Sequence, residues 1–237
     1  MARKVTPVAR TAVSPPALIV DLGTRDYLEA WSLQKRLLEL RADDRIPDVL
    51  LYVEHPHVVT LGRKPGAAKD LLFPREGPGA RAPVYEIERG GEATYHGPGQ
   101  LVGYPIFKLQ EGERDLHRFL RNQEEALIRA IAAYGLLGDR KPGYTGVWCQ
   151  GKKLASIGVA VRRWVTYHGF GLNVSTDLTY FELINPCGLS SDIMSSLEIL
   201  AGRTIPMPDI KDEITRHLAA VFGRTFVPGD LDQLLDT

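Results

Sequence analysis

Cysteine is nearly absent from this sequence: Cys149 and Cys187 are the only two. A disulfide scaffold is therefore excluded, and free thiols in a reducing, cytoplasmic setting are the expectation. Charge of one sign is not in excess either, since 29 Lys and Arg balance 29 Asp and Glu. That balance removes the bulk electrostatic case for nucleic acid or an anionic membrane as partner. No apolar run approaches the ~18 residues that cross a bilayer. A P-loop, a dinucleotide fingerprint and a G-x-S-x-G elbow are all missing. His55 and His57 are spaced to share a strand face, but no Cys/His/Asp cluster completes a metal site, so neither metal nor cofactor is expected. Residues 1–16 carry Arg3, Lys4 and Arg10, with Pro7, Pro15 and Pro16 breaking any apolar stretch. They read as a loose leader rather than a signal peptide.

What is present is alternating helical and strand-like patterning. Ala17–Leu22 reads as a strand, and Asp26 with Glu29 caps a helix over 26–41. Val49–Glu54, Val58–Leu61, Val84–Glu88 and Val102–Phe107 are strand-like, with a long Gly/Pro-rich loop over 62–83. Asp115–Ala133 is the clearest helix, ended by Gly135. Gly146–Gln150, Lys153–Val161 and Val165–Val174 follow as strands, with Gly151-Lys152 and Arg162-Arg163 as turns. A short helix is expected over Ser190–Leu200 and a last one from Pro208 to near Gly223. No repeat or long linker divides the chain. The expectation is one α+β catalytic domain over 17–237, with a central mixed, mostly antiparallel sheet flanked by helices and a helical cap over 203–237.

Three segments carry chemistry. Arg89 to Gln100 (RGGEATYHGPGQ) has four glycines, which let backbone approach a ligand closely; a bulged hairpin loop explains them equally well. Lys153 opens a strand of small apolar residues, where alternation puts it on the face of Ala155, Ile157 and Val159. A lysine there is either solvated at an edge or desolvated, and desolvation makes its amine a usable base. Cys187 lies in Asn185-Pro186-Cys187-Gly188, flanked by residues unlike a packed core. An ordinary thiol is mostly protonated at neutral pH, so its reactivity needs a cationic or basic neighbour. Lys153 and His168 are the candidates. Cys149, inside a strand, reads as a small buried hydrophobe.

Together these segments resemble the lipoyl(octanoyl) transferases. The pattern R-G-G-x-x-T-Y-H-G-P-G-Q-L-V-x-Y-P spans Arg89–Pro105; K-[IL]-A-S-I-G spans Lys153–Gly158; H-G-x-x-L-N-V spans His168–Val174; I-N-P-C-G spans Ile184–Gly188. The resemblance covers about residues 50–190. It implies a fold like the biotin/lipoate protein ligase catalytic domain. It also implies octanoyl transfer from acyl carrier protein to a lysine of lipoyl domains, those of 2-oxoacid dehydrogenase complexes and of the glycine cleavage H protein. By the same resemblance the catalytic residues are Cys187 and Lys153. The acyl-binding stretches are Arg89, Gly90, Gly91, Glu92, Ala93, Thr94, Tyr95 and His96, then Ser156, Ile157 and Gly158, then Gly169, Phe170 and Gly171. Two alternatives stand beside it: an ATP-dependent lipoate or biotin ligase of the same fold, which needs no Cys187, and a non-catalytic acyl-binding module.

Overall fold

The computed structural model describes residues 15–185 and 190–236. An eight-stranded sheet forms its centre: β1 (Ala17–Thr24), β2 (Val49–Glu54), β6 (Gln100–Ile106), β7 (Gly138–Asp139), β8 (Gly146–Cys149), β9 (Lys152–Arg162), β10 (Val165–Asn173) and β11 (Phe226–Pro228). Their order across the sheet is β11-β1-β2-β6-β10-β9-β8-β7. β1 runs parallel to β2 and β11, and every other pairing is antiparallel. A second sheet, β4 (Val84–Glu86), β3 (Val58–Leu61) and β5 (Ala93–His96), stands beside it in the order β4-β3-β5.

Both faces of the central sheet are covered, which is why β2 reads as a continuous apolar run rather than an alternation. Leu50 and Tyr52 face one core with Phe170, Leu172, Ile157 and Val159, under α2 (Leu116–Ala132) and α4 (Met207–Phe222). Leu51 and Val53 face the other, with Tyr104 and Tyr167, under α1 (Tyr27–Ala42). α1 starts where the Asp26 carboxylate accepts from the Leu28 and Glu29 amides at 2.8 and 3.4 Å. α2 starts at Asp115, which accepts from the Arg118 amide at 3.0 Å. Each cap satisfies amides that the first helical turn leaves open. Gly135, at φ +79°, turns the chain away beyond α2. No helix among the described residues is long and apolar enough to cross a membrane.

Several elements differ from the sequence expectation. Ala93–His96 is a strand, paired antiparallel with β3, inside what reads as a glycine-rich loop. The two hairpin turns sit one residue earlier or later than expected, at Gln150-Gly151 and Arg163-Trp164, where all four residues have positive φ. That mirror-image turn matches strand twist and overrides residue preference. Ser190–Leu200 is not one helix: a 3-10 turn at Ser191–Ile193 is followed by α3 (Leu197–Ala201), capped by Ser196. Met194 lies between them and bridges Lys153 in parallel, which excludes helical backbone there. The C-terminal segment joins the main body. α4 packs on α2, β11 pairs with β1, and Leu234 of α5 (Leu231–Leu235) enters the α1 core.

Candidate active site

α1 covers β10 only as far as His168, whose amide donates to Gln34 Oε1 at 2.8 Å. His168 has φ +57°, a strained conformation for a residue with a side chain, and this bond from α1 helps hold it. Beyond His168 the same face of β9 and β10 carries Ser156, Gly158, Gly169 and Gly171, with no helix over them. The Arg89–Glu92 segment and β5 lie over that floor instead. A cavity of about 300 Å³ remains between them, at the small end of ligand sites.

Glycine is required in this floor for steric reasons. A Cβ at Gly158 would sit 2.9 Å from Gly90 O, and one at Gly171 would sit 2.8 Å from Gln100 Oε1. The overlying segment is tied down on both sides. The Gly90 amide donates to Val159 O at 3.0 Å. The buried Arg89 guanidinium donates to the Thr60 carbonyl and hydroxyl of β3 at 2.8 and 3.0 Å. At the rim Lys64 pairs with Glu92 at 2.6 Å.

Lys153 is 1% exposed. Its face is not the one that simple alternation gives. Val147 pairs with Ala155 but Trp148 pairs with Lys153, so β9 carries one extra residue at Leu154. This bulge turns Lys153 away from the core of Ala155 and Ile157, onto the cavity face shared with Trp148. Two contacts agree: Lys153 Nζ lies 5.9 Å from the Trp148 ring centre, and a Cβ at Gly146 would sit 2.9 Å from Lys153 Cε. The Lys153 carbonyl accepts from the Ser195 amide at 3.1 Å. Gly146 is itself held by Glu124, fully buried, whose Oε1 accepts its amide at 3.0 Å.

Burial lowers the pKa of each histidine around the cavity. His96 Nδ1 donates to Gln100 Oε1 at 2.7 Å, and burial pushes its pKa down to about 3. Gln100 Nε2 donates to Asn173 Oδ1 at 2.9 Å, and Asn173 Nδ2 to Ser195 O at 3.0 Å. A buried chain of hydrogen bonds thus joins the cavity wall to the residue beside Lys153. His55 Nδ1 donates to Arg25 O and its Nε2 accepts from the Tyr104 hydroxyl, both at 2.7 Å; burial pushes its pKa down to about 4. His168 lies 3.4 Å from Glu88, whose pKa falls to about 2 through that contact and Lys35, while burial lowers that of His168.

The residues singled out in the sequence gather here. Arg89–Thr94, His96, Ser156–Gly158 and Gly169–Gly171 all line the cavity with Lys153. Tyr95 does not: its ring packs edge-on to Phe181, and its hydroxyl bonds His57 Nδ1 at 2.7 Å, because alternation along β5 turns it into the small sheet's own core. Cys187 lies outside the described residues. Flanking it, Ile184 bridges Leu71, and the chain beyond Ser190 brings Met194 against Lys153. His168 pairs with Val159, five strand steps along β9 from Lys153 once the bulge at Leu154 is allowed for, so the two candidate partners of Cys187 stand about 16 Å apart along the strand. Cys149 is buried with its thiol pKa raised by burial, as a packing cysteine should be. At the hairpin surface Arg162 pairs with Glu39, and Arg163 with Glu39 and Asp43. No metal-binding cluster occurs among the described residues. Tyr27, Tyr104, Leu120 and Tyr144 also line the cavity without having been singled out in the sequence; Tyr104 is the tyrosine of the Arg89–Pro105 pattern, whereas the other three arrive from distant elements with nothing local to mark them.

Comparisons with known proteins agree with this fold. Residues 26–219 match the family model described as lipoyl protein ligase A/B catalytic domain. The chain is 48% identical over 225 residues to an octanoyltransferase of Synechococcus elongatus, covering 92% of each. It superimposes on a lipoate-protein ligase A bound with ATP at TM-score 0.68 and 12% identity, covering 94% of this chain and 93% of that one. The biotin protein ligase of Aquifex aeolicus shares the fold at TM-score 0.51 and 11% identity, covering 89% and 70%. The chain thus belongs to the lipoyl protein ligase A/B catalytic-domain family, among its octanoyltransferases, and is an acyltransferase.

Proposed function

We propose that the chain moves an octanoyl or lipoyl group from acyl carrier protein to a lysine of a lipoyl domain, through a thioester on Cys187. The observation that carries this reading is Lys153, buried by the bulge at the end of a glycine-floored, largely apolar cavity. In the first step the Cys187 thiolate attacks the donor's thioester carbonyl, the carrier thiolate leaves, and acyl-Cys187 forms. A nearby ammonium lowers a thiol's pKa, and a nearby amine removes its proton; either role suits Lys153. Thiol and thioester exchange without net change in bond type, so no ATP is needed. In the second step the amine of the lipoyl-domain lysine attacks acyl-Cys187, its proton passes to Lys153 or to the leaving sulfur, and an amide forms. An amide is far more stable than a thioester, which drives the cycle forward.

Acyl choice follows from burial. About six additional CH₂ groups at roughly 0.8 kcal/mol each favour octanoyl over acetyl decisively. His96, which lines that channel, has its pKa pushed down to about 3 by burial.

The test supplies octanoyl carrier protein and apo lipoyl domain without nucleotide. Octanoylated lipoyl domain is expected, with ping-pong kinetics. Cys187→Ser and Lys153→Ala are each expected to lower turnover by roughly 10²–10⁴-fold. A requirement for ATP, or full turnover by Cys187→Ser, contradicts the reading.

A further inference from the structure

The cavity has a second end, which the transfer chemistry does not use. There it is walled by Tyr27 from α1 and Tyr104 from β6, both buried. Tyr27 belongs to none of the acyl-binding stretches, and Tyr104, though within the Arg89–Pro105 pattern, lies beyond the stretch that ends at His96. Tyr104 stands on the same sheet face as Gly158 and Gly171, since its neighbour Gly103 faces Phe170 in the opposite core. Its hydroxyl is fixed by His55 at 2.7 Å, and His55 is fixed by Arg25 O at 2.7 Å. Tyr27 stacks with Tyr85 and with His96, at interplanar angles of 11° and 12°. The wall is therefore rigid: moving either ring breaks buried contacts.

The register gives its distance from Lys153. Gly103 pairs with Phe170 and Phe170 with Ile157, so Tyr104 is level with Gly158. Lys153 is then two strands across, about 10 Å, and about 13 Å along after allowing for the bulge, or roughly 16 Å on the diagonal. Removing van der Waals contacts of about 3.5–4 Å at each end leaves roughly 8–9 Å. With C–C bonds near 1.5 Å, an extended eight-carbon chain spans about 9 Å. We propose that Tyr104, braced by His55, and Tyr27 are the stop that sets acyl length in this enzyme. The proposal rests on the reading above in placing the acyl carbonyl at the Lys153 end.

The experiment measures transfer of hexanoyl, octanoyl, decanoyl and dodecanoyl groups from carrier protein. In parallel it measures binding of the matching free fatty acids by calorimetry. Tyr104→Leu and Tyr27→Leu each open the wall, and the ratio of dodecanoyl to octanoyl kcat/KM is expected to rise about tenfold or more. Fatty-acid affinities should shift in the same sense. Tyr104→Phe keeps the ring and should hold the ratio within about threefold. Folded Tyr104→Leu and Tyr27→Leu with the wild-type length profile in both assays would overturn the proposal. Failure of the underlying reading looks different: wild-type enzyme then transfers no acyl group, while the fatty-acid affinities still report where the cavity ends.

Discussion

The two faces of β9 and β10 make opposite use of the same strands. On one face Ile157, Val159, Phe170 and Leu172 join the buried core under α2 and α4. On the other, Ser156, Gly158 and Gly171 leave a cavity that a separate chain segment roofs. Alternation along a strand puts these roles one residue apart. Stability and ligand binding are thereby assigned to alternate positions of one sheet, and substitutions should separate them.

The largest expected effect is on the packed face. Phe170→Ala removes a buried ring and should cost about 3–5 kcal/mol in urea unfolding. A loss under 1 kcal/mol would mean that the core tolerates a hole there. On the open face, Gly158→Val places side-chain atoms against Gly90 O and Arg89. Transfer is expected to fall about 100-fold, equivalent to about 2.7 kcal/mol, while the unfolding midpoint moves far less than in Phe170→Ala. Equal stability losses in the two variants would erase the distinction between the faces.

A smaller effect comes from the histidines behind the cavity. The folded-state pKa values of His96 and His55 lie at about 3 and about 4, below the ordinary 6.5. Below pH 6.5 the unfolded chain takes up protons that the folded chain does not. Stability should therefore fall as pH drops from 6.5 towards 4, by up to about 1.4 kcal/mol per pH unit for each histidine. His96→Gln should reduce that slope by about one proton's worth, measured by urea unfolding at pH 7, 6 and 5; an unchanged slope would contradict it. The smallest effect is on the exposed hairpin. Arg163→Ala removes pairs with Asp43 and Glu39 and should change stability by no more than about 1 kcal/mol, and raising salt should have little influence on carrier affinity.

Much of this was legible in the sequence where the signal is local. Val49–Glu54 and Val58–Leu61 match their strands residue for residue, and Asp26 and Asp115 cap the helices they precede. The motif residues were legible because the cavity is built from contiguous stretches. What escaped depends on pairing with distant chain. The strand at Ala93–His96 exists because β3 is beside it, not because of its glycine-bordered sequence. The bulge at Leu154, which sets the face of Lys153, arises from the register with β8. Tyr27 and Tyr104 meet only once α1 and β6 are assembled.

The most direct measurement of the central claim is the intact mass of the chain after brief exposure to octanoyl carrier protein alone. The account predicts one octanoyl group per chain, labile to hydroxylamine, absent from Cys187→Ser and formed much more slowly in Lys153→Ala. An unmodified wild-type chain, or an adduct that survives in Cys187→Ser, would contradict it.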